Sequence, residues 1–255
     1  MGSPNQMSTQ SPEDFLLTKF PPVDPEPRIA DACDPCVSMP AIFVPGCNLR
    51  CHYCINRELV HHPERGQHSS SLLLRFLLAK EPWLMVSGGE PLNDLRTLWL
   101  LINMKMMGFK VALATNGCFP DRLRRALGKG LVNHVVMDVK TKFVRNRYLE
   151  VIGGERFAEF YPRILRSFCM LRSYPGTTVE FRMTMCSKYV GREDAEWLVK
   201  TVGGRGIVTL QLFSTHQTLD PQLADEKWVI SFETIRRWAA ELSEETCFVV
   251  RAKEV

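Results

Sequence analysis

From residue 41 onward, short apolar runs alternate with longer stretches in which apolar residues recur every three or four positions. The runs AIFV (41–44), WLMVS (83–87), KVALAT (110–115), HVVMDVK (134–140), TVEFRMTM (178–185) and IVTLQLF (207–213) have the length and composition of strands. CFVVR (247–251) predicts a short seventh. Helical periodicity fills the gaps. A helix over 69–80 has capping serines before it and Pro82 beyond it, and one over 95–107 stops at Gly108. Others are expected over 120–127, 156–172, 192–202 and 232–242, with Pro162 set to kink or divide the longest. Residues 214–231 carry no strong period.

Strand and helix in repeated alternation predict an α/β fold with a parallel sheet and helices outside it. Six units are too few to close an eight-fold barrel, so a partial, open (β/α)6 barrel is expected, with a doubly wound open sheet as the alternative. Residues 1–40 differ in kind. They hold eight of the sixteen prolines, which favours an irregular, extended or disordered N-terminal extension over a packed helix. The division expected is an extension over 1–40 and one (β/α)6 domain over 41–255.

Composition narrows the setting. The chain has 255 residues, 45% hydrophobic and 24% charged, which is ordinary for a globular protein. A net charge of +4, scattered rather than gathered, is too mild to argue for nucleic acid or membrane as a partner, and neither is expected. No apolar run approaches the ~18 residues of a membrane span. The polar, proline-rich start lacks the apolar segment of a secretory leader, so a cytoplasmic protein is expected. Nine cysteines, an odd and high number, then point to metal binding or catalysis rather than disulfides.

Three of the thiols stand together. Cys47, Cys51 and Cys54 form a C-x3-C-x2-C run. Thiolates are the usual ligands of iron–sulfur clusters, and three of them leave a fourth iron open to another ligand. Buried free thiols or half a zinc site are the alternatives on spacing alone. Cys33 and Cys36 read as loop thiols, and Cys118, Cys169, Cys186 and Cys247 as packing residues. The histidines show no metal-binding spacing.

The polar residues near the strands are placed with regularity. The three cysteines follow the first strand, Ser87-Gly88-Gly89-Glu90 the second and Thr115-Asn116-Gly117 the third. Asp138 and Lys140 end the fourth, Arg182 and Thr184 lie late in the fifth, and Gln211 and Phe213 end the sixth. All are C-terminal strand ends, where barrels and open α/β sheets build their sites. Asp138 and Lys140, two apart on a strand, share a face.

The run CNLRCHYC, with Tyr53 just before the third cysteine, resembles the signature of the radical S-adenosylmethionine (SAM) enzymes. INRELV (55–60), GGE (88–90), TNG (115–117), MDVK (137–140) and LQLF…TLDP (210–221) are similar in order and spacing to the activating enzymes of glycyl-radical enzymes. Within these, the activating protein of anaerobic ribonucleoside-triphosphate reductase is the nearest match. Ile55 departs from that pattern, where a polar residue or histidine is commoner, and so does Cys118, where Ser or Thr is. No cysteine-rich insert lies between Cys54 and Ser87, so activases with extra ferredoxin-like clusters match poorly.

The resemblance implies a 4Fe–4S cluster on Cys47, Cys51 and Cys54, with SAM on its open iron. It implies a SAM site built from Tyr53, Cys54, Ile55, Gly88, Gly89, Glu90, Asn116, Asp138, Lys140, Arg182 and Phe213, with holding the turn as the alternative role for Glu90 and for Asn116. The GGE backbone would meet the amino group of SAM, Lys140 its carboxylate, Asp138 its ribose or amino group, and Phe213 would offer a stacking surface. Reductive cleavage by an electron from a flavodoxin- or ferredoxin-type donor would give a 5′-deoxyadenosyl radical, which takes hydrogen from a glycine of a partner glycyl-radical enzyme. Two alternatives remain open. One is a radical SAM enzyme acting on a small molecule or peptide, similar to 7-carboxy-7-deazaguanine synthase; the other is a non-catalytic iron–sulfur or zinc redox protein.

Overall fold

The computed structural model describes residues 39–61, 82–204, 206–216, 218–246 and 249–254. Most of the proline-rich stretch, Cys33, Cys36, the helix expected over 69–80 and Cys247 lie outside the described residues. Seven strands appear: β1 (Ala41–Val44), β2 (Trp83–Gly88), β3 (Lys110–Thr115), β4 (His134–Asp138), β5 (Thr178–Met185), β6 (Ile207–Leu212) and β7 (Val250–Lys253). The helices are α1 (Arg57–His61), α2 (Arg96–Met106), α3 (Pro120–Gly128), α4 (Arg145–Ile152), α5 (Tyr161–Arg172), α6 (Arg192–Val202) and α7 (Phe232–Thr246).

The sheet runs β1-β2-β3-β4-β5-β6-β7, every neighbouring pair parallel. Sequential order with crossovers of one hand keeps the helices on one side of the sheet. A doubly wound sheet would reverse its strand order at a switch point, and none occurs here. Among the described residues β1 and β7 each have one strand neighbour, so the curl is open. This is the partial barrel expected, with the short extra strand.

Alternation along each strand divides the interior. Leu113, Val135, Met137, Phe181 and Val208 face the helices and belong to the large core. The opposite face carries a small cluster of Met85, Ala112, Ala114 and Val136. On that inner face, β4, β5 and β6 also present Asp138, Arg182, Thr184 and Gln211 to the cavity described below. Small side chains on one wall leave room for polar ones on the other.

Some element limits moved. Pro162 does divide its helix: 155–160 is a 3-10 turn, and α5 starts at Tyr161 with the proline in its first turn, where no amide is needed. α7 runs four residues past its expected end, which pushes β7 from 247–251 to Val250–Lys253. Neither α1 nor α4 was legible, being short and interrupted by charges. Among the described residues no helix is long and apolar enough to cross a membrane.

Candidate active site

A cavity opens at the C-terminal ends of the strands, and its walls gather the residues expected there. Cys47, Cys51 and Cys54 line it, with Tyr53 and Ile55 from the same loop. Gly88 ends β2, and Gly89 and Asn116 come from the turns after β2 and β3. Asp138, Lys140, Arg182 and Phe213 complete the set from β4 to β6.

Glu90 alone of the expected residues is not in the wall. It is fully buried, and its carboxylate accepts the Thr115 hydroxyl (2.8 Å), the Asn116 amide (2.6 Å) and the Leu92 amide (3.1 Å). Burial pushes its carboxyl up to about 7 against the pull of those three donors. Its own amide donates to the Gly46 carbonyl at 2.9 Å, so one residue ties the turns after β1, β2 and β3 together.

The glycines before it have a packing reason. Gly88 sits at φ +117°, and a Cβ there would fall on the backbone of Val44. At Gly89 a Cβ would strike the Gly46 carbonyl. The turn after β2 lies directly on the cysteine loop, at a distance no side chain permits. Asn56 adds to this contact by donating its amide to the Gly88 carbonyl at 2.6 Å.

The cysteine loop is fixed at both ends. Leu49 donates its amide toward the Cys47 sulfur at 3.4 Å, and Arg50 caps the Cys47 and Leu49 carbonyls at 2.8 Å each. Far along the chain, the Leu219 and Asp220 amides donate to the Cys54 and His52 carbonyls, at 3.0 and 2.9 Å. The TLDP segment is therefore a brace for the loop. Burial raises the thiols of Cys47 and Cys51 to about 12, and that of Cys54 also upward. Without metal they are protonated, and metal binding must release those protons.

Opposite the thiols lies a charged group. Asp138 accepts from Arg182 Nε at 2.8 Å and pairs with Lys140 Nζ at 3.3 Å. Burial opposes ionisation of Asp138, but the two cations outweigh it and hold the carboxyl down to about 2. Lys140 lies over the Tyr53 ring at 5.9 Å, and the Tyr53 hydroxyl donates to the Lys140 carbonyl at 3.2 Å. Phe43, Asn56, Leu212 and Ser214 also line the cavity and were not singled out in the sequence. Alternation could have found Phe43, which shares its face with Ala41.

A family profile, that of the radical SAM superfamily, matches residues 41–168. The chain belongs to the radical SAM superfamily. Over 184 residues it is 28% identical to a Methanocaldococcus jannaschii protein provisionally described as a glycyl-radical enzyme activating enzyme, covering 71% of this chain and 75% of the relative. A shorter stretch of 83 residues is 29% identical to Aquifex aeolicus 7-carboxy-7-deazaguanine synthase, covering 32% and 38%. In fold, the chain is similar to Streptococcus suis SuiB bound to its precursor peptide SuiA (TM-score 0.64, 15% identity, 86% of this chain). It spans about half of SuiB, 49%. Native anSMEcpe with bound AdoMet is also similar in fold (TM-score 0.54, 15% identity, 81% of this chain and 60% of that one).

The cofactors of this radical SAM enzyme are a 4Fe–4S cluster and SAM, and the donor set fits both. Among the described residues no three His, Cys, Asp or Glu side chains converge as ligands of one metal ion do. A cluster does not require that, since each thiolate meets a different iron. The thiols share their cavity with two cations and a carboxylate, complementary to an amino acid. Gln211 Oε1 is buried there without a hydrogen-bond partner among the described residues, as a wall awaiting a polar ligand would leave it.

Proposed function

We propose that this radical SAM enzyme activates a glycyl-radical enzyme, in an anaerobic cytoplasmic setting. The observation that carries the proposal is the match, across three-quarters of its length, to a relative described as such an activating enzyme. An open sheet edge at β1 and β7 supports it, because a loop of a partner protein must reach the cavity from outside.

In this reading the thiolates of Cys47, Cys51 and Cys54 would hold the cluster. When bound and reduced by a flavodoxin- or ferredoxin-type donor, the cofactors would supply the radical chemistry, a 5′-deoxyadenosyl group from SAM able to take a hydrogen atom from a glycine of the partner. Lys140 and Arg182 present cations for the SAM carboxylate, and Asp138 accepts from its ribose or ammonium group. Backbone groups of Gly88 and Gly89 meet the ammonium, while Asn116 supplies a polar wall. Tyr53, Ile55 and Phe213 form apolar walls that keep water away. Glu90 acts from behind, by holding the turns in register.

The test is anaerobic reconstitution with iron and sulfide, reduction, addition of SAM and assay for 5′-deoxyadenosine, with Cys51→Ala as control. A candidate glycyl-radical enzyme is then added and its radical sought by electron paramagnetic resonance. SAM cleavage without a glycyl radical on any such partner would move the substrate to a small molecule or peptide. No cleavage with a full cluster would defeat the proposal.

A further inference from the structure

Gln211 on β6 and Thr184 on β5 stand side by side as register partners, and both line the cavity. Thr184 lies two residues beyond Arg182 on the same face of β5, one row nearer the rim. Gln211 Oε1 is buried and accepts no hydrogen bond among the described residues, and the Thr184 hydroxyl makes none there either. A buried acceptor left in this way costs stability unless a ligand brings the donor.

The pair is uncharged, which separates it from the neighbouring part of the wall. Asp138, Lys140 and Arg182 carry the charges that complement the ammonium and carboxylate of SAM, and Asp138 joins the two cations at 3.3 and 2.8 Å. Gln211 is one strand and one row away from Arg182. Neutral donor and acceptor groups at that place suit a neutral polar ligand.

Glycine dictates what such a ligand must offer. It has no side chain, so a site can orient it only through its peptide N–H and carbonyl groups. To give up an α-hydrogen it must come within about 3–3.5 Å of the reacting atom. The peptide groups on either side of it then lie in a cavity that excludes water, and each needs a protein partner. A carboxamide matches a peptide group: its oxygen accepts an N–H, and its nitrogen donates to a carbonyl.

We infer that Gln211 and Thr184 hold the peptide backbone of the substrate glycine, with Gln211 Oε1 accepting the glycine N–H and the Thr184 hydroxyl donating to a carbonyl. The inference rests on the activase reading above. The contacts are hydrogen bonds alone, and no covalent bond forms or breaks in them. Gln211 is thereby a specificity-determining residue, because a substrate without that N–H leaves the buried acceptor without a donor. The amino group of the SAM adenine is the rival donor for the same oxygen, and the test separates the two.

The test uses the full-length, reconstituted protein with SAM and dithionite. The probe is a synthetic peptide spanning the radical glycine of an anaerobic ribonucleoside-triphosphate reductase, deuterated at the glycine α-carbon. A second peptide, deuterated likewise, carries N-methylglycine there and so lacks the N–H. Deuterium transferred to 5′-deoxyadenosine is read by mass spectrometry, and SAM affinity by equilibrium binding. Wild type should prefer the glycine peptide by about tenfold or more in kcat/KM. In Gln211→Leu that preference should collapse, through loss with the glycine peptide. Thr184→Val should lower kcat/KM for both peptides alike and keep the preference, since both retain their carbonyls. Equal transfer from the two peptides to wild type overturns the inference without any variant. A preference that survives in Gln211→Leu overturns it too. So does a loss of SAM affinity in that variant as large as its loss with the glycine peptide, which would give the oxygen to adenine. SAM cleavage by wild type with no deuterium taken from the glycine peptide or from the intact, α-deuterated reductase defeats the activase reading itself, and the inference with it.

Discussion

The backbone amide of Asn116 donates to the buried carboxylate of Glu90 at 2.6 Å, joining the turn after β3 to the turn after β2. An ionisable side chain with no exposure is held there by three donors. Glu90→Gln replaces one acceptor oxygen with a donor and sets it against an N–H or O–H. We expect a loss of roughly 1–3 kcal/mol, the cost of a buried mismatch, together with poorer iron retention. Chemical denaturation and iron analysis check this.

Glu90 also makes a pH prediction. Its folded carboxyl is raised to about 7 from an ordinary value near 4.5, so the folded protein holds a proton that the unfolded chain has released. This contribution to stability is complete below pH 4.5 and is lost as pH rises through about 7. Asp138 has the opposite sign. Held down to about 2, it contributes stability above its ordinary 3.8 that is lost as pH falls toward 2. Melting temperature between pH 5 and 8 should fall more in wild type than in Glu90→Gln.

Gly89→Ala tests the close approach of two turns. The added Cβ meets the Gly46 carbonyl, a backbone atom that cannot rotate away. Displacing the cysteine loop should cost about 1–3 kcal/mol by overpacking and lower the iron content after reconstitution. Gly128→Ala, whose Cβ would meet nothing, is the control and should retain iron as wild type does.

Asp138 and Lys140 should separate SAM binding from cluster assembly. Lys140→Met removes the cation paired with Asp138 at 3.3 Å while leaving all three cysteines in place. We expect iron content near wild type and SAM affinity reduced by roughly tenfold to a hundredfold, as for loss of a charge-assisted contact of about 1.5–3 kcal/mol. Equilibrium binding of SAM to the reconstituted protein measures it. Unchanged SAM affinity would confine the pair to a structural role.

The brace from the distal segment is open to the same approach. Leu219→Pro deletes the amide that donates to the Cys54 carbonyl at 3.0 Å. Iron should be lost to a chelator faster than from wild type under anaerobic conditions, with stability down by about 1 kcal/mol or more.

Much of this arrangement was already written in the chain. The strands stood out because each is a short apolar run bounded by Gly, Pro or charge, and sequential α/β alternation leaves few topologies for a parallel sheet. Cysteine spacing and polar residues at successive strand ends pointed to one cavity, because local order and the period of two determine which face each residue takes. What remained hidden depended on contacts between distant segments. Glu90 is tied to its partners across three turns, since only folding brings Thr115 and Asn116 to its carboxylate. The glycines at 88 and 89 make room for the backbone at 44 and 46, a proximity that no local pattern encodes. Leu219 and Asp220 brace a loop more than 160 residues earlier, because parallel strands bring the ends of distant segments to one rim. Local sequence determined the elements and their chemistry; the curl of the sheet decided which of those groups share a space.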